Sequence, residues 1–293
     1  MIWIPITVAA ATLQVARNAL QRGLLEQAGP WGATLVRFLF GLPFAMAFFT
    51  VAWALTPGLH LSVTSGFWFS CAVGGAAQVL ATAALLLSMR GSSFALGTVF
   101  QQSGIPIAAL IGLAFGDHLH PVAWLGLLLA TAGLFVLAWP RQGPAIARDW
   151  TPAGLGVLAG TLFSASSNFY RHAALSLDRH HPVVTALATL VVVQAMQAAG
   201  LTLWLALRDR RALAVVVRDW RTSLTAGFFG AAASGLWFTA FAMTAAGPVR
   251  AVGLVEMPVA AFAGNRLFKE RVYVWQWIAG GVTTLGVIMA ALA

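Results

Sequence analysis

Apolar residues along this chain come in long blocks, not in alternation. Ten blocks run at about 2–21, 31–55, 65–88, 92–115, 121–139, 152–170, 183–207, 222–245, 249–268 and 273–292. A helix needs roughly 20 apolar residues to cross a bilayer. The pattern therefore predicts an all-α membrane protein of ten transmembrane helices. The two longest connections, 140–150 and 208–220, are too short for a folded domain. The opening "MIWIPITVAAATLQ" has no basic leader and no polar stretch after it. It reads as the first span, not as a cleaved signal.

Composition strengthens the membrane reading. Of 293 residues, 60% are hydrophobic and 9% charged, and the mean hydropathy is +0.84. A soluble domain carries about 25% charged residues. The net charge of +9 comes almost wholly from arginine. In this context it speaks for topology and anionic headgroups, not for nucleic acid. The single cysteine, Cys71, forms no internal disulfide.

Two stretches repeat each other. Asp117 is followed by Trp124 and Gly133, and Glu270 by Trp277 and Gly286 at the same spacings. Pro106 precedes the first acid by eleven residues, and Pro258 the second by twelve. The repeat predicts two halves, 1–145 and 146–293, of five helices each. Five is odd, so the second half enters the membrane inverted, a frequent transporter architecture with its site near the midplane.

On these residues the chain resembles the drug/metabolite transporter superfamily, in its EamA-like ten-helix branch. "GPWGATLVRF" resembles the family's Pro-then-Arg opening of helix 2. The stretches from Pro106 to Asp117 and from Pro258 to Glu270 resemble its Pro-to-acid segments. Lys269 stands where a glycine often precedes the acid, and helix 7 has no counterpart of Arg37. The resemblance implies a bacterial inner-membrane carrier, export more than import, and a cavity among helices 1, 3, 4, 6, 8 and 9.

Basic residues set the expected orientation. Numbering the connections one to nine, odd loops carry 12 Arg or Lys and even loops three, Arg171, Arg179 and Arg250. The positive-inside rule then places odd loops in the cytoplasm and both termini outside. All six histidines fall in or beside even loops. "DHLH" (117–120) and "DRHH" (178–181) lack strong metal-ligand spacing. They read as interfacial polar residues, and no metal site is expected.

Glu256 is the most informative candidate. A charge at a helix centre costs about 2.5–3.5 kcal/mol on insertion scales and marks function by default. Pro258, two residues on, breaks the helix and frees a carbonyl. Pro106 is the matching break in the first half. Arg17 is the natural complement to Glu256, although its head could instead snorkel to the interface. Gln14 and Asn18 share its helix. Arg37 ranks lower, because the resembled family places helix 2 at the periphery. Gln78, Gln101, Gln102, Asn168, Tyr170 and Trp237 complete the expected substrate-binding or coupling set, with Ser103, Ser164, Ser166, Ser167, Ser234, Thr239 and Phe238 around them.

No HExxH, GxSxG or Walker A pattern is present, and no enzyme activity or cofactor is expected. The expected partners are a small-molecule substrate, the bilayer and protons as coupling ion, in a monomer or homodimer. The expected function is secondary transport of a small polar or amphipathic metabolite, such as an amino acid, by alternating access. The competing reading is a membrane protein with a structural or lipid-interacting role, which predicts no cavity.

Overall fold

The computed structural model describes residues 1–92, 94–138, 150–257, 259 and 274–292. Every regular element among them is helical. In chain order these are α1 (Trp3–Leu39), α2 (Leu42–Ala54), α3 (Ser65–Gly91), α4 (Phe94–Gln101), α5 (Ile105–Ala114), α6 (Pro121–Ala138), α7 (Thr151–Leu177), α8 (Pro182–Arg208), α9 (Arg210–Arg218), α10 (Trp220–Met243), α11 (Ala246–Val252) and α12 (Val274–Leu292). Short 3-10 turns follow α4 (Gln102–Gly104) and α11 (Gly253–Val255).

Among the described residues five segments are long and apolar enough to cross a membrane: Trp3–Ala54, Ser65–Gly91, Gly97–Ala114, Pro182–Arg208 and Trp220–Met243. α7 has the length but carries Ser164, Ser166, Ser167, Asn168 and Tyr170 on buried positions. Its polarity faces inward. Leu110, Leu128, Leu203, Ile278 and Leu285 are exposed, whereas Gln14, Arg17, Asn18 and Glu256 are buried. Apolar outside and polar inside is the distribution expected of a chain solvated by lipid.

Helix boundaries follow local chemistry. Gly29 adopts φ 66° and breaks α1 just before Pro30, a left-handed conformation that costs glycine little. The expected span 31–55 is not one regular helix. It pauses between Leu39 and Leu42, where Pro43 lacks the N–H that would continue the ladder. The Thr64 side chain caps α3 by accepting from the Phe67 N–H at 3.2 Å. The 208–220 connection, too short for a folded domain, contains α9. Asp209 starts it by accepting from the Ala212 N–H at 3.0 Å.

Three helix pairs make the closest packing: α3 with α7, α1 with α10, and α6 with α12. Small residues permit it. A Cβ on Gly126 would strike the backbone at Gly286 and Ala290, and one on Gly133 would strike Thr283 and Ala279. α6 and α12 therefore run antiparallel in near backbone contact. At one end of the bundle, Ser62 N–H bonds the Leu177 carbonyl at 3.2 Å, joining the loop before α3 to the end of α7. The loop before α3 and the connection after α7 therefore lie at the same end.

Candidate functional site

Two interrupted helices meet in the middle of the bundle. Pro106 has no N–H for the Gln102 carbonyl, and Ile105 N–H takes that carbonyl in a 3-10 turn instead. At the second interruption Glu256 N–H reaches the Gly253 carbonyl in the same way. Pro258 lies outside the described residues. The side chains at the two breaks touch: Gln102 Nε2 donates to Glu256 Oε2 at 2.9 Å.

Glu256 is fully buried and accepts from three amides. Besides Gln102, Gln14 Nε2 donates to Oε2 at 2.8 Å and Asn18 Nδ2 to Oε1 at 3.3 Å. Asn18 cannot turn its amide around, because its Oδ1 already accepts from Arg17 Nη2 at 2.7 Å and Arg17 Nε at 3.2 Å. The order Arg17–Asn18–Glu256 is thus a fixed relay from cation to carboxylate. Every partner of Glu256 donates, which is the arrangement an ionised carboxylate requires. Arg17 is 0% exposed, so its head does not snorkel.

Beside this cluster lies a small cavity. Gln14 belongs to both. α7 supplies Phe163, Ser166, Ser167 and Tyr170; α10 supplies Ser234, Trp237, Phe238 and Phe241; α3 supplies Gln78. Two arginines complete the wall, Arg37 from α1 and Arg250 from α11. Tyr170 stacks on Phe238 at 4.1 Å between ring centroids, and Trp237 on Phe241 at 5.6 Å. The Tyr170 hydroxyl has acceptors in the Gly74 carbonyl at 2.8 Å and Gln78 Oε1 at 3.1 Å. Gln197 Nε2 closes that network by donating to Gln78 Oε1 at 2.9 Å.

Arg37 is not peripheral. It is 2% exposed, and its Nη1 and Nη2 donate to Thr82 Oγ1 and Ser234 Oγ, each at 3.1 Å. Gly230 on α10 makes room for it: a Cβ there would lie 3.1 Å from Arg37 Cγ and 3.7 Å from Arg17 Cδ. Arg250 is not a loop residue. It is 5% exposed, inside α11, with its guanidinium 5.8 Å from the Phe163 ring centroid. The sequence signal for it was a lone arginine inside "GPVRAVGLV" with no polar neighbour to explain it. For Arg37 the signal was present and was outweighed by the family argument.

The remaining candidates sit elsewhere. Arg17, Asn18, Gln102 and Glu256 lie in the polar cluster and do not line the cavity. Gln101 is buried with neither side-chain amide atom partnered. Asn168 faces away from the cavity and donates to the carbonyls of Ala108 and Ser164, each at 3.0 Å, tying α7 to α5. Ser103 and Ser164 also bond carbonyls, of Phe100 at 2.8 Å and Gly104 at 2.6 Å.

An ion pair stands next to two cavity residues, Tyr170 in sequence and Phe241 through its carbonyl. Arg171 Nη2 and Nε both lie 3.1 Å from Asp117 Oδ1, and Nη1 donates to the Phe241 carbonyl at 2.8 Å. This contact ties α7 to the turn after α5 and to the end of α10. Farther out, Asp178 accepts from the His180 N–H at 2.6 Å and contacts His181 Nδ1 at 2.9 Å. The backbone donor first, and the histidine ring second, hold the Asp178 carboxyl below its usual range. Among the described residues no group of three or more metal-ligating side chains gathers.

No family model and no curated protein matches the sequence. Solved structures share the fold. One, described only as the crystal structure of a protein, superposes with a TM-score of 0.58 over 97% of this chain and 98% of its own, at 17% identity. At that identity the likeness is one of fold alone.

Proposed function

We propose that the chain is a ten-span secondary transporter of the bacterial inner membrane, of the EamA-like drug/metabolite transporter kind, moving a small metabolite by alternating access. The observation that carries this reading is the hydrogen bond between Gln102 and Glu256, at the breaks of two interrupted helices beside a cavity. Interrupted helices meeting at mid-membrane are where transporters of inverted-repeat design hold substrate and coupling ion. A structural or lipid-binding role gives no reason for a cavity lined by buried arginines.

The packing supports two inverted halves, 1–145 and 146–293. In the sequence repeat Gly126 matches Ala279, and Gly133 matches Gly286. Gly126 touches Gly286, and Gly133 touches Ala279. A contact between one residue and the mate of another, returned by the reciprocal contact, is what a two-fold axis generates. The helix pairs α3–α7 and α1–α10 exchange under the same operation. Substrate would sit between the halves, and rocking of one half on the other would open the cavity to each side in turn. Reconstitution into proteoliposomes, with a metabolite screen run with and without a pH gradient, tests the function. Saturable flux supports it. Absence of flux across amino acids, organic acids and amines from a protein that remains folded removes it.

A further inference from the structure

We infer that the cavity binds a small organic anion, a carboxylate on a flat apolar body, clamped between Arg37 and Arg250; the inference rests on the transport reading and names its substrate class. The first ground is the hydrogen-bond inventory of the wall. Among the lining residues, the buried polar side-chain atoms without a partner are Arg37 Nε, Trp237 Nε1, and Arg250 Nε and Nη2. All four are N–H donors. A buried donor left unpaired is costly, so the cavity is complementary to a ligand rich in acceptors. A ligand that offers only donors, such as an ammonium, leaves these four N–H groups unpaired.

Charge gives the second ground. Among the described residues the buried charged side chains in the centre are Arg17, Arg37 and Arg250 against Glu256. Arginine stays protonated in proteins, so it cannot escape burial by losing its proton. Glu256 is already engaged by three amides and reaches Arg17 through Asn18. Its charge offsets one cation at most. Arg37 has hydroxyl partners only, from Thr82 and Ser234. A carboxylate entering the cavity would supply the missing negative charge, and a planar guanidinium fork matches its geometry.

Shape gives the third. Trp237, Phe238 and Phe241 with Phe163 form aromatic walls around a small space. The ligand is therefore compact and mostly apolar away from its charged group. Glu256 offers no place for an amine, because its oxygens are turned toward Gln14, Asn18 and Gln102. The geometry favours a simple organic acid over a zwitterion.

The test is thermal unfolding of the purified protein in detergent at pH 7, titrated with phenylacetate, phenylacetamide and phenethylamine. Phenylacetate should raise the midpoint by about 3 °C at tenfold above its Kd, and the amide and amine should leave it unmoved. Arg37→Gln and Arg250→Gln should each abolish the shift. If either fails to fold, Arg37→Lys and Arg250→Lys keep the charge, lose the fork, and should weaken binding at least tenfold. An equal shift from the amide or the amine, no shift from phenylacetate at tens of millimolar, or a shift that survives both arginine changes overturns the proposal. The readout needs no flux. Anion binding without transport would leave the site standing and remove the transporter; transport of an amine without anion binding would do the reverse.

Discussion

Gln102 and Glu256 stand 154 residues apart in sequence and 2.9 Å apart in space, each at the interruption of its own helix. The bond is one of three that Glu256 accepts, and one of its partners, Asn18, is held in its orientation by Arg17. Substituting Glu256→Gln therefore does not simply exchange one hydrogen-bonding group for another. The new oxygen can accept from Gln14 and Gln102, but the new NH2 then faces the NH2 of Asn18. Asn18 cannot flip without turning that NH2 toward Arg17.

Glu256→Gln should cost about 1–3 kcal/mol, the penalty for a buried unsatisfied donor. The repair is specific. Asn18→Asp puts an acceptor on both sides, one oxygen for Arg17 and one for the new amide. The double variant should recover most of the lost stability, although Asn18→Asp alone places two carboxylates together. Thermal melts of all four proteins form a double-mutant cycle. Additive losses would show that the relay through Asn18 does not hold.

Packing between α6 and α12 is tight enough to be tested by volume. A side chain at Gly286 meets the backbone of Gly126 and Ala130, whereas one at Gly281 on the same helix meets nothing within 4 Å. Gly286→Leu should destabilise by about 1–3 kcal/mol or more through overpacking. Gly281→Leu should be close to neutral. Equal melting temperatures for the two variants would mean the helices do not approach as described.

The sequence pattern announced helices, apolar blocks and the mid-chain carboxylate because these depend on local composition. Glu256 stood out since no nearby residue could explain it. Gln14 and Asn18 stood out because helical spacing places them on one face. Arg37 and Arg250 were misjudged for a physical reason. An arginine near a span end has two resolutions, snorkelling outward or turning inward, and only the packing against Gly230 and Phe163 decides between them. Asn168 shows the opposite error. Its polarity marked it for the cavity, but its amide is used on carbonyls of α5 and α7. Glycine contacts such as Gly126 with Gly286 leave almost no single-sequence trace, since glycine is common throughout.

Burial of Arg250 sharpens the expected topology. With that residue removed from the even loops, the basic bias becomes 12 to 2. Arg208, Arg210, Arg211, Arg218 and Arg221 cluster around α9, which the positive-inside rule assigns to the cytoplasm. A reporter fused within 208–220 should be cytoplasmic and one at the C-terminus external. A cytoplasmic C-terminus would reverse the assignment and carry the Asp117–Arg171 pair to the inner face.

That pair leads to the last prediction. Arg171 follows Tyr170, a cavity residue, and holds the carbonyl of Phe241, another. Releasing it removes the side-chain tie that joins the end of α10, α7 and the turn at Asp117. Asp117→Asn keeps the side-chain shape and removes the ionic half of the contact. A labelling site is simple to install, because Cys71 is the only cysteine and Cys71→Ala gives a clean background. In that background Ser234→Cys places a thiol in the cavity wall. Adding Asp117→Asn should raise its modification by a membrane-impermeant maleimide several-fold, from the even-loop side only. If the pair is merely an interfacial contact, the labelling rate should not change. If the rate rises from the odd-loop side instead, the closure lies at the other end of the cavity, and Asp117 and Arg171 do not form the barrier.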